Sequence, residues 1–315
     1  MSKPISRTAL RFSNRKRECE LFRSILRRET PLRGLVIHSG GAGGVGKSTL
    51  LKMFEDECRA PDLSVPTIPF YFNAERLVKW QDILDRTANI IGEGHFREYI
   101  QLRAIYDTLT KGGAFPTGLS PTLAQHVVHF YGPVFGPLHT GSGDFAMERS
   151  TSVLPAFESL VGGSAAQVVE ASLSLGEMQT HLTRAFLQAL NGIQESLQIV
   201  WLVDTAGNLD DITKAWLIEM FWQIAECKTE HLILVVAGRK LLRYEPRWME
   251  RVAEMRLALF DEDIVLEILL EIWPDYDIIP LRMAASGLVE KSGGRPLDVI
   301  THIERYIGLE GEPYV

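Results

Sequence analysis

Residues 34 to 48 read Gly34-Leu35-Val36-Ile37-His38-Ser39-Gly40-Gly41-Ala42-Gly43-Gly44-Val45-Gly46-Lys47-Ser48. This is a short apolar run, a glycine loop, and the start of a segment in which Leu50, Leu51, Phe54 and Cys58 recur at helical spacing. The run predicts a buried strand, the periodic segment predicts a helix over 47–59, and Gly41 to Ser48 satisfy the spacing G-x-x-x-x-G-K-[ST]. Glycines let successive backbone N–H groups curve around an anion without Cβ clashes, and a helix starting near Lys47 adds the positive end of its dipole. Gly41, Gly43, Gly44, Val45 and Gly46 are therefore candidates for a phosphate cradle. Lys47 is expected to bridge the β- and γ-phosphates of a nucleotide, Ser48 to ligate Mg²⁺ through its hydroxyl, and Thr49 to approach the α-phosphate.

Outward from the loop, strands and helices alternate. A second buried strand is expected over 68–73, and a helix from about 80 to 91. Then come a helix over 175–190, an almost continuous apolar strand over 197–203 ending in Asp204, a helix over 212–225, a strand over 231–237 and a fifth strand over 255–259. Apolar strands separated by helices predict an α/β fold with a parallel sheet covered on both faces. Upstream, Leu21, Phe22, Ile25 and Leu26 mark an amphipathic helix over 18–32, ended where Pro31 forbids continuation. From Asp261 onward the pattern is helical, with breaks at Pro274, Pro280 and Gly293-Gly294.

Between 111 and 176 the composition changes: 66 residues hold ten glycines, five prolines and six charged side chains. This reads as an insert of loop character, with short helices conceivable over 122–131 and 165–175.

The 315 residues are 46% hydrophobic and 23% charged, an ordinary globular balance. No run of 18 apolar residues appears and the N-terminus has no apolar stretch behind its charges, so neither a membrane span nor a secretory signal is expected. Cys19, Cys58 and Cys227 lie too far apart for a disulfide framework or a zinc site, which points to a reducing, cytoplasmic setting. The net charge of −7 hides a split, because residues 1–33 carry ten basic against three acidic side chains, +7, leaving −14 for the rest. Such a basic stretch admits either nucleic acid or an acidic neighbouring protein surface as its partner, and the second is preferred.

A phosphate loop needs a carboxylate at a neighbouring strand end to help hold the metal, and Asp204 closes Ile199-Val200-Trp201-Leu202-Val203 in that way. Thr205 stands where many such enzymes place a second acid for the attacking water, so turnover is expected to be slow; Asp210 and Asp211 read as caps of the following helix. Asp204-Thr205-Ala206-Gly207 also spells D-x-x-G, but no N-K-x-D follows, which argues against a GTPase. Ala42 stands where partition ATPases carry their signature lysine.

Several motifs in order resemble the STAND ATPases, the NB-ARC and NACHT relatives within the AAA+ group. These are Phe12-Ser13-Asn14-Arg15-Lys16-Arg17-Glu18, similar to their F-x-G-R-x-x-E with Asn14 for the glycine; the loop Gly40 to Leu50; Leu232 to Arg239, similar to a sensor strand; and Ser292-Gly293-Gly294-Arg295-Pro296-Leu297, similar to the G-x-P-L of a helical lid. The resemblance implies a three-layer P-loop NTPase core with a five-stranded parallel sheet of order 5-1-4-3-2. It implies three parts: a basic leading segment and helix (1–33), the core (34–260) with its insert, and a small helical lid (261–315). It implies that the segment Phe12 to Arg15 touches adenine, that Arg239 reads the γ-phosphate and joins Lys47 and Asp204 in the chemistry, and that Pro296 walls the base. The cofactors expected are ATP or ADP with Mg²⁺, held by Ser48 and Asp204.

The function so implied is an ATP-binding conformational switch in a signalling or defence complex, assembling as a homo-oligomer through its core, with sensor or effector parts on partner chains. The competing reading is a DNA-binding AAA+ ATPase resembling origin-recognition or transposition ATPases, and a third is a scaffold that binds nucleotide without turnover. His126, His129 and His139 lack accompanying metal ligands and read as loop residues, and Trp216, Phe221 and Trp222 as core or an interface patch.

Overall fold

The computed structural model describes residues 15–76, 78–111, 175–193, 197–226, 228–239, 248 and 250–311. Its sheet contains β1 (Gly34–His38), β2 (Thr67–Asn73), β3 (Gln198–Asp204), β4 (Leu232–Gly238) and β5 (Val252–Arg256) in the order β2-β3-β4-β1-β5, every pair parallel. Read from the other edge this is 5-1-4-3-2, the order of a three-layer α/β P-loop fold. The registers Asn73↔Asp204, His38↔Gly238 and His38↔Arg256 bring the C-terminal ends of all five strands to one edge of the sheet. Ligand sites of open parallel sheets form along that edge.

The three central strands β1, β3 and β4 are buried at every position, and β2 and β5, with one strand neighbour each, are buried only in part. Burial on both faces favours unbroken Val, Leu and Ile, and such runs are what made the central strands readable. On one face, α1 (Lys16–Leu26) and α2 (Lys47–Glu57) meet through Phe22 and Phe54, whose rings stack with centroids 4.1 Å apart. Such a pair contributes about 1 kcal/mol beyond its area burial. α6 (Asp211–Ala225) sets Trp216 between Trp80 and Trp201, with centroids at 6.2 and 5.8 Å, and Phe221 against Trp248 at 5.6 Å. Three C-terminal helices, α7 (Glu262–Ile272), α8 (Ile278–Ser292) and α9 (Pro296–Gly311), share a core of Val265, Leu269, Leu281, Ala285, Val299 and Ile303.

The described residues fall into two compact units, one within 1–83 and 195–315 and one within 84–194. α3 (Trp80–Ile91) begins in the first and ends in the second, where α4 (Arg97–Lys111) packs on α5 (Leu175–Asn191): Phe96 and Tyr99 close on Phe186 at 4.9 and 5.4 Å. The Tyr99 hydroxyl donates to Asp85 Oδ1 at 2.5 Å, and Arg103 pairs with Asp85 and Asp107.

Three expectations need correction. The first helix ends at Leu26, five residues before Pro31, because Arg28 turns left-handed (φ 59°) while the Arg28 and Glu29 amides return to Ile25 and Ser24, a Schellman closure without glycine. The fifth strand is Val252–Arg256 rather than 255–259: Glu254 and Arg256 sit on an edge strand that tolerates charge, although the Leu257 amide still donates to His38 O at 2.8 Å. Pro280 breaks nothing, because it is the third residue of α8, where its missing N–H would have had no helical partner; Asp277 caps that helix instead. α4 had no sequence expectation at all. The helices considered over 122–131 and 165–175 lie outside the described residues except for Leu175, which opens α5. No described helix is long and apolar enough to cross a membrane.

Candidate functional site

β1 delivers the chain to the loop through Ser39, and four of the next seven residues have positive φ: Gly40 (+62°), Gly41 (+105°), Gly44 (+73°) and Gly46 (+89°). A Cβ placed on Gly41, Gly43 or Gly46 would meet nothing within 4 Å, so these glycines border open space of the kind an anion occupies. Consecutive amides in this conformation form a nest for negative charge. Val45 is 1% exposed and anchors the loop in the core behind it. The Gly41 amide donates to Arg239 O at 2.7 Å, which ties the loop to the end of β4, and the Ser39 hydroxyl donates to Ala42 O at 2.5 Å. The Gly40 amide donates to His38 Nδ1 at 3.3 Å; the proton of that ring is therefore on Nε2, which donates to Glu254 Oε1 at 2.7 Å.

Lys47 opens α2 behind the loop and is 9% exposed, its Nζ donating to Ser39 Oγ at 3.1 Å and to Ala42 O at 3.5 Å. Burial lowers its pKa first, the Arg239 charge lowers it further, and the Asp204 carboxylate opposes both. The amine thus senses one residue from β4 and one from β3. Ser48 is exposed and Thr49 half-buried in the first turn of α2.

Asp204 ends β3 with 3% exposure. Its Oδ2 accepts from the Tyr71 hydroxyl at 2.6 Å and its Oδ1 from the Thr205 amide at 2.7 Å. Burial and that carboxylate push the Tyr71 phenol well above its ordinary range. Thr205 has φ 54°, a conformation rarely adopted by a β-branched residue, and its hydroxyl donates to Asn73 Oδ1 at 3.0 Å. Asp210 caps α6 by accepting from the Thr213 amide at 2.6 Å.

Between the loop and the C-terminal helices lies an open cleft of about 540 Å³, walled by Ala42, Gly43, Gly44, Leu259, Arg295 and Leu297. Leu259 and Leu297 are 41% and 61% exposed, large apolar side chains facing the space beside the cradle. Pro296 is buried at the first position of α9, where its fixed φ suits a helix start. Arg295 pairs with Asp298 at 3.0 Å. Arg239 is exposed just past the end of β4, and Arg256, level with His38 on β5, lies with its guanidinium 3.6 to 4.0 Å from the Cβ position of Gly40. Arg15 is 9% exposed and bonded to the loop from behind. Phe12 lies outside the described residues.

The structure thus gathers Gly41 to Lys47, Arg239 and Asp204 at one end of the sheet. Tyr71, Asn73, Arg256 and Leu259 join them without having been foreseen, and so does Leu297, the last residue of the lid motif. Tyr71 and Asn73 alternate on β2, so period two places them on one face; only the β2–β3 register shows that this face meets Asp204 and Thr205. Among the described residues no three metal-ligating side chains of His, Cys, Asp and Glu cluster. A metal here would depend on nucleotide oxygens, the usual arrangement for Mg²⁺, and the Ser48 hydroxyl and Asp204 carboxylate suit it as hard oxygen donors.

Among the described residues, five of the ten basic side chains of the N-terminal tenth have acidic partners within the chain. Arg15 pairs with Glu18, Lys16 with Glu271, Arg23 with Glu57, Arg27 with Asp62 and Arg33 with Glu230.

Compared with family profiles and with curated proteins, the sequence matches none. Among solved structures it is similar to Cdc6p from Pyrobaculum aerophilum, with a TM-score of 0.47 and 14% identity over 95% of this chain and 63% of that one. The chain thus spans less than two thirds of that protein's length. The fold described above rests on the sheet order and register.

Proposed function

We propose that this protein is an ATP-binding conformational switch of the AAA+ group, STAND-like, with slow Mg²⁺-dependent hydrolysis. The observation that carries the reading is the run of positive-φ glycines between β1 and α2, bordering open space beside the cleft, with Lys47 buried behind the loop and Asp204 within electrostatic reach of its amine. The loop amides receive the phosphates, and Lys47 exchanges its bonds to Ser39 and Ala42 O for bonds to phosphate oxygens. Ser48 and Asp204 hold Mg²⁺, which when bound neutralises charge on the β- and γ-phosphates. Arg239 lies on the β4 side for the terminal phosphate, and Leu259 and Leu297 offer an apolar wall for the base, with Pro296 buried at the start of α9 beside them.

Thr205 supplies no base where an activating acid would stand, because a hydroxyl is far too weakly basic to take a proton from water, and its own proton is donated to Asn73. Turnover below about 1 s⁻¹ is expected, the low end of enzyme rates. A slow hydrolase retains its nucleotide long enough to act as a timer, which supports the switch over an engine. In this reading ATP favours an assembly-competent state of core and lid, the chain forms homo-oligomers, and sensor or effector parts reside on partner chains in signalling or defence.

The DNA-binding alternative draws on the basic N-terminus, where five of the ten basic side chains already have carboxylate partners within the chain. Titration with Mg-ATP and Mg-GTP, single-turnover hydrolysis and a DNA shift assay test the proposal together. ATP binding preferred over GTP, slow turnover and no DNA shift at low salt are expected. DNA binding that weakens steeply with salt would favour the alternative, and absence of ATP binding would end both.

A further inference from the structure

The guanidinium of Arg15 spans three parts of the first unit. One nitrogen donates to Val45 O in the glycine loop at 2.9 Å and to Ala258 O, beyond β5, at 3.3 Å; the other donates to Glu18 Oε1 at 2.9 Å, and the group lies 5.6 Å over the ring of Phe260. The Phe260 amide in turn donates at 2.7 Å to Gly294 O, the residue before Arg295 and Pro296. Gly294 is left-handed (φ +68°), and a Cβ there would stand 2.4 Å from Phe260 O, so this junction is a close backbone approach with no slack.

The peptide geometry gives these contacts a direction. Val45 and Gly46 are joined by a trans peptide, so the Val45 carbonyl and the Gly46 N–H point to opposite sides of one plane. By drawing the carbonyl outward, Arg15 aims the Gly46 amide into the cradle. The same guanidinium holds the Ala258 carbonyl just before Leu259, which walls the cleft, and Phe260, which carries the Gly293-Gly294 turn and the start of α9. One arm of the planar fork holds both carbonyls while Glu18 fixes the other arm, so the guanidinium is oriented in a way that a single ammonium nitrogen would not be.

We infer that Arg15 is a positioning residue that couples occupancy of the phosphate loop to the attitude of the C-terminal helices: a shift in the Val45–Gly46 peptide on phosphate binding is passed through Arg15 to Ala258 and Phe260, and from there to the Gly294 turn. The inference rests on the nucleotide reading above and adds to it a route by which the phosphates reach the lid.

Hydrogen exchange of the full-length chain, with and without saturating Mg-ADP, tests it. In the wild type, ADP slows exchange both in the loop (residues 40–50) and across 259–300. In Arg15→Lys, ADP affinity falls about tenfold, as expected for losing charge-assisted bonds, and at saturation the loop is still protected while protection across 259–300 is lost. Phe260→Leu keeps the Arg15 bond to Val45 and the backbone bond to Gly294 but removes the ring under the guanidinium, so it binds ADP within about twofold of wild type and its ADP-dependent protection is reduced across 259–300 and not in the loop; this variant carries the test if Arg15→Lys does not fold. Undiminished lid protection in either folded variant overturns the coupling and leaves the nucleotide reading standing. A wild type that shows no ADP-dependent protection and no ADP binding removes the nucleotide reading itself, and the coupling with it.

Discussion

The Tyr71 hydroxyl donates to Asp204 Oδ2 across the β2–β3 pair at 2.6 Å, while the Thr205 amide occupies Oδ1. The carboxylate at the end of β3 is therefore held at both oxygens by groups of the protein itself.

Removing the phenolic proton donor should release that carboxylate toward the metal. Tyr71→Phe is expected to lower the Mg²⁺ concentration for half-maximal ATP binding by about threefold, in line with one hydrogen bond of about 0.5–1.5 kcal/mol. Magnesium titrations at fixed ATP measure this. A higher Mg²⁺ requirement in the variant would show that Tyr71 orients Asp204 for the metal rather than restraining it.

Asp204→Ala leaves the Tyr71 hydroxyl and the Thr205 amide without their acceptor in a site only 3% exposed. A loss of about 1–3 kcal/mol in stability to urea is expected, together with loss of Mg²⁺-stimulated hydrolysis. Hydrolysis equal to wild type would exclude Asp204 from the metal site.

How far this site was legible beforehand differs residue by residue. Gly46 and Lys47 announce themselves because a left-handed turn into a helix needs glycine and because the lysine keeps its spacing from the loop. Asp204 was visible because a strand buried on both faces is apolar until the chain reaches the sheet's edge. Arg15 was named by resemblance for contact with adenine, but its grip on Val45 O joins residues 30 apart and depends on the packing of α1 against α2. Arg28 shows the same limit in the fold: a left-handed helix cap normally advertises itself as glycine, and here an arginine takes it.

The two glycines that end α8 should not respond alike. Gly293→Ala meets no atom within 4 Å and pays only for its left-handed φ of +60°, about 1 kcal/mol. Gly294→Ala has the same conformational cost and also drives a Cβ to 2.4 Å from Phe260 O, so its loss should exceed about 2 kcal/mol. Thermal melts of the two variants compare them directly, and equal losses would contradict the close junction between Phe260 and Gly294.

Cys19 and Cys58 are buried, free thiols under α1 and α2, and burial pushes Cys19 from its ordinary 9.0 up to about 11 and Cys58 higher still. At pH 8 the thiolate fraction of Cys19 is about one in a thousand, so both should resist alkylation in the native protein and react on unfolding, as peptide mass mapping would show. Because the folded values lie above the unfolded ones, the stability tied to the protonated thiols is present below about pH 9 and is lost as pH rises through about 11. Urea midpoints rising between pH 9 and 11 would oppose this account.

Calorimetric titration of Mg-ATP into the wild type and into folded Lys47→Ala reads the central claim most directly, because Lys47 lies buried at the base of the glycine loop with its amine bonded to Ser39 and Ala42 of the loop side. Saturable binding by the wild type and none detectable by the variant is the predicted result; an unchanged ATP affinity in Lys47→Ala would contradict it.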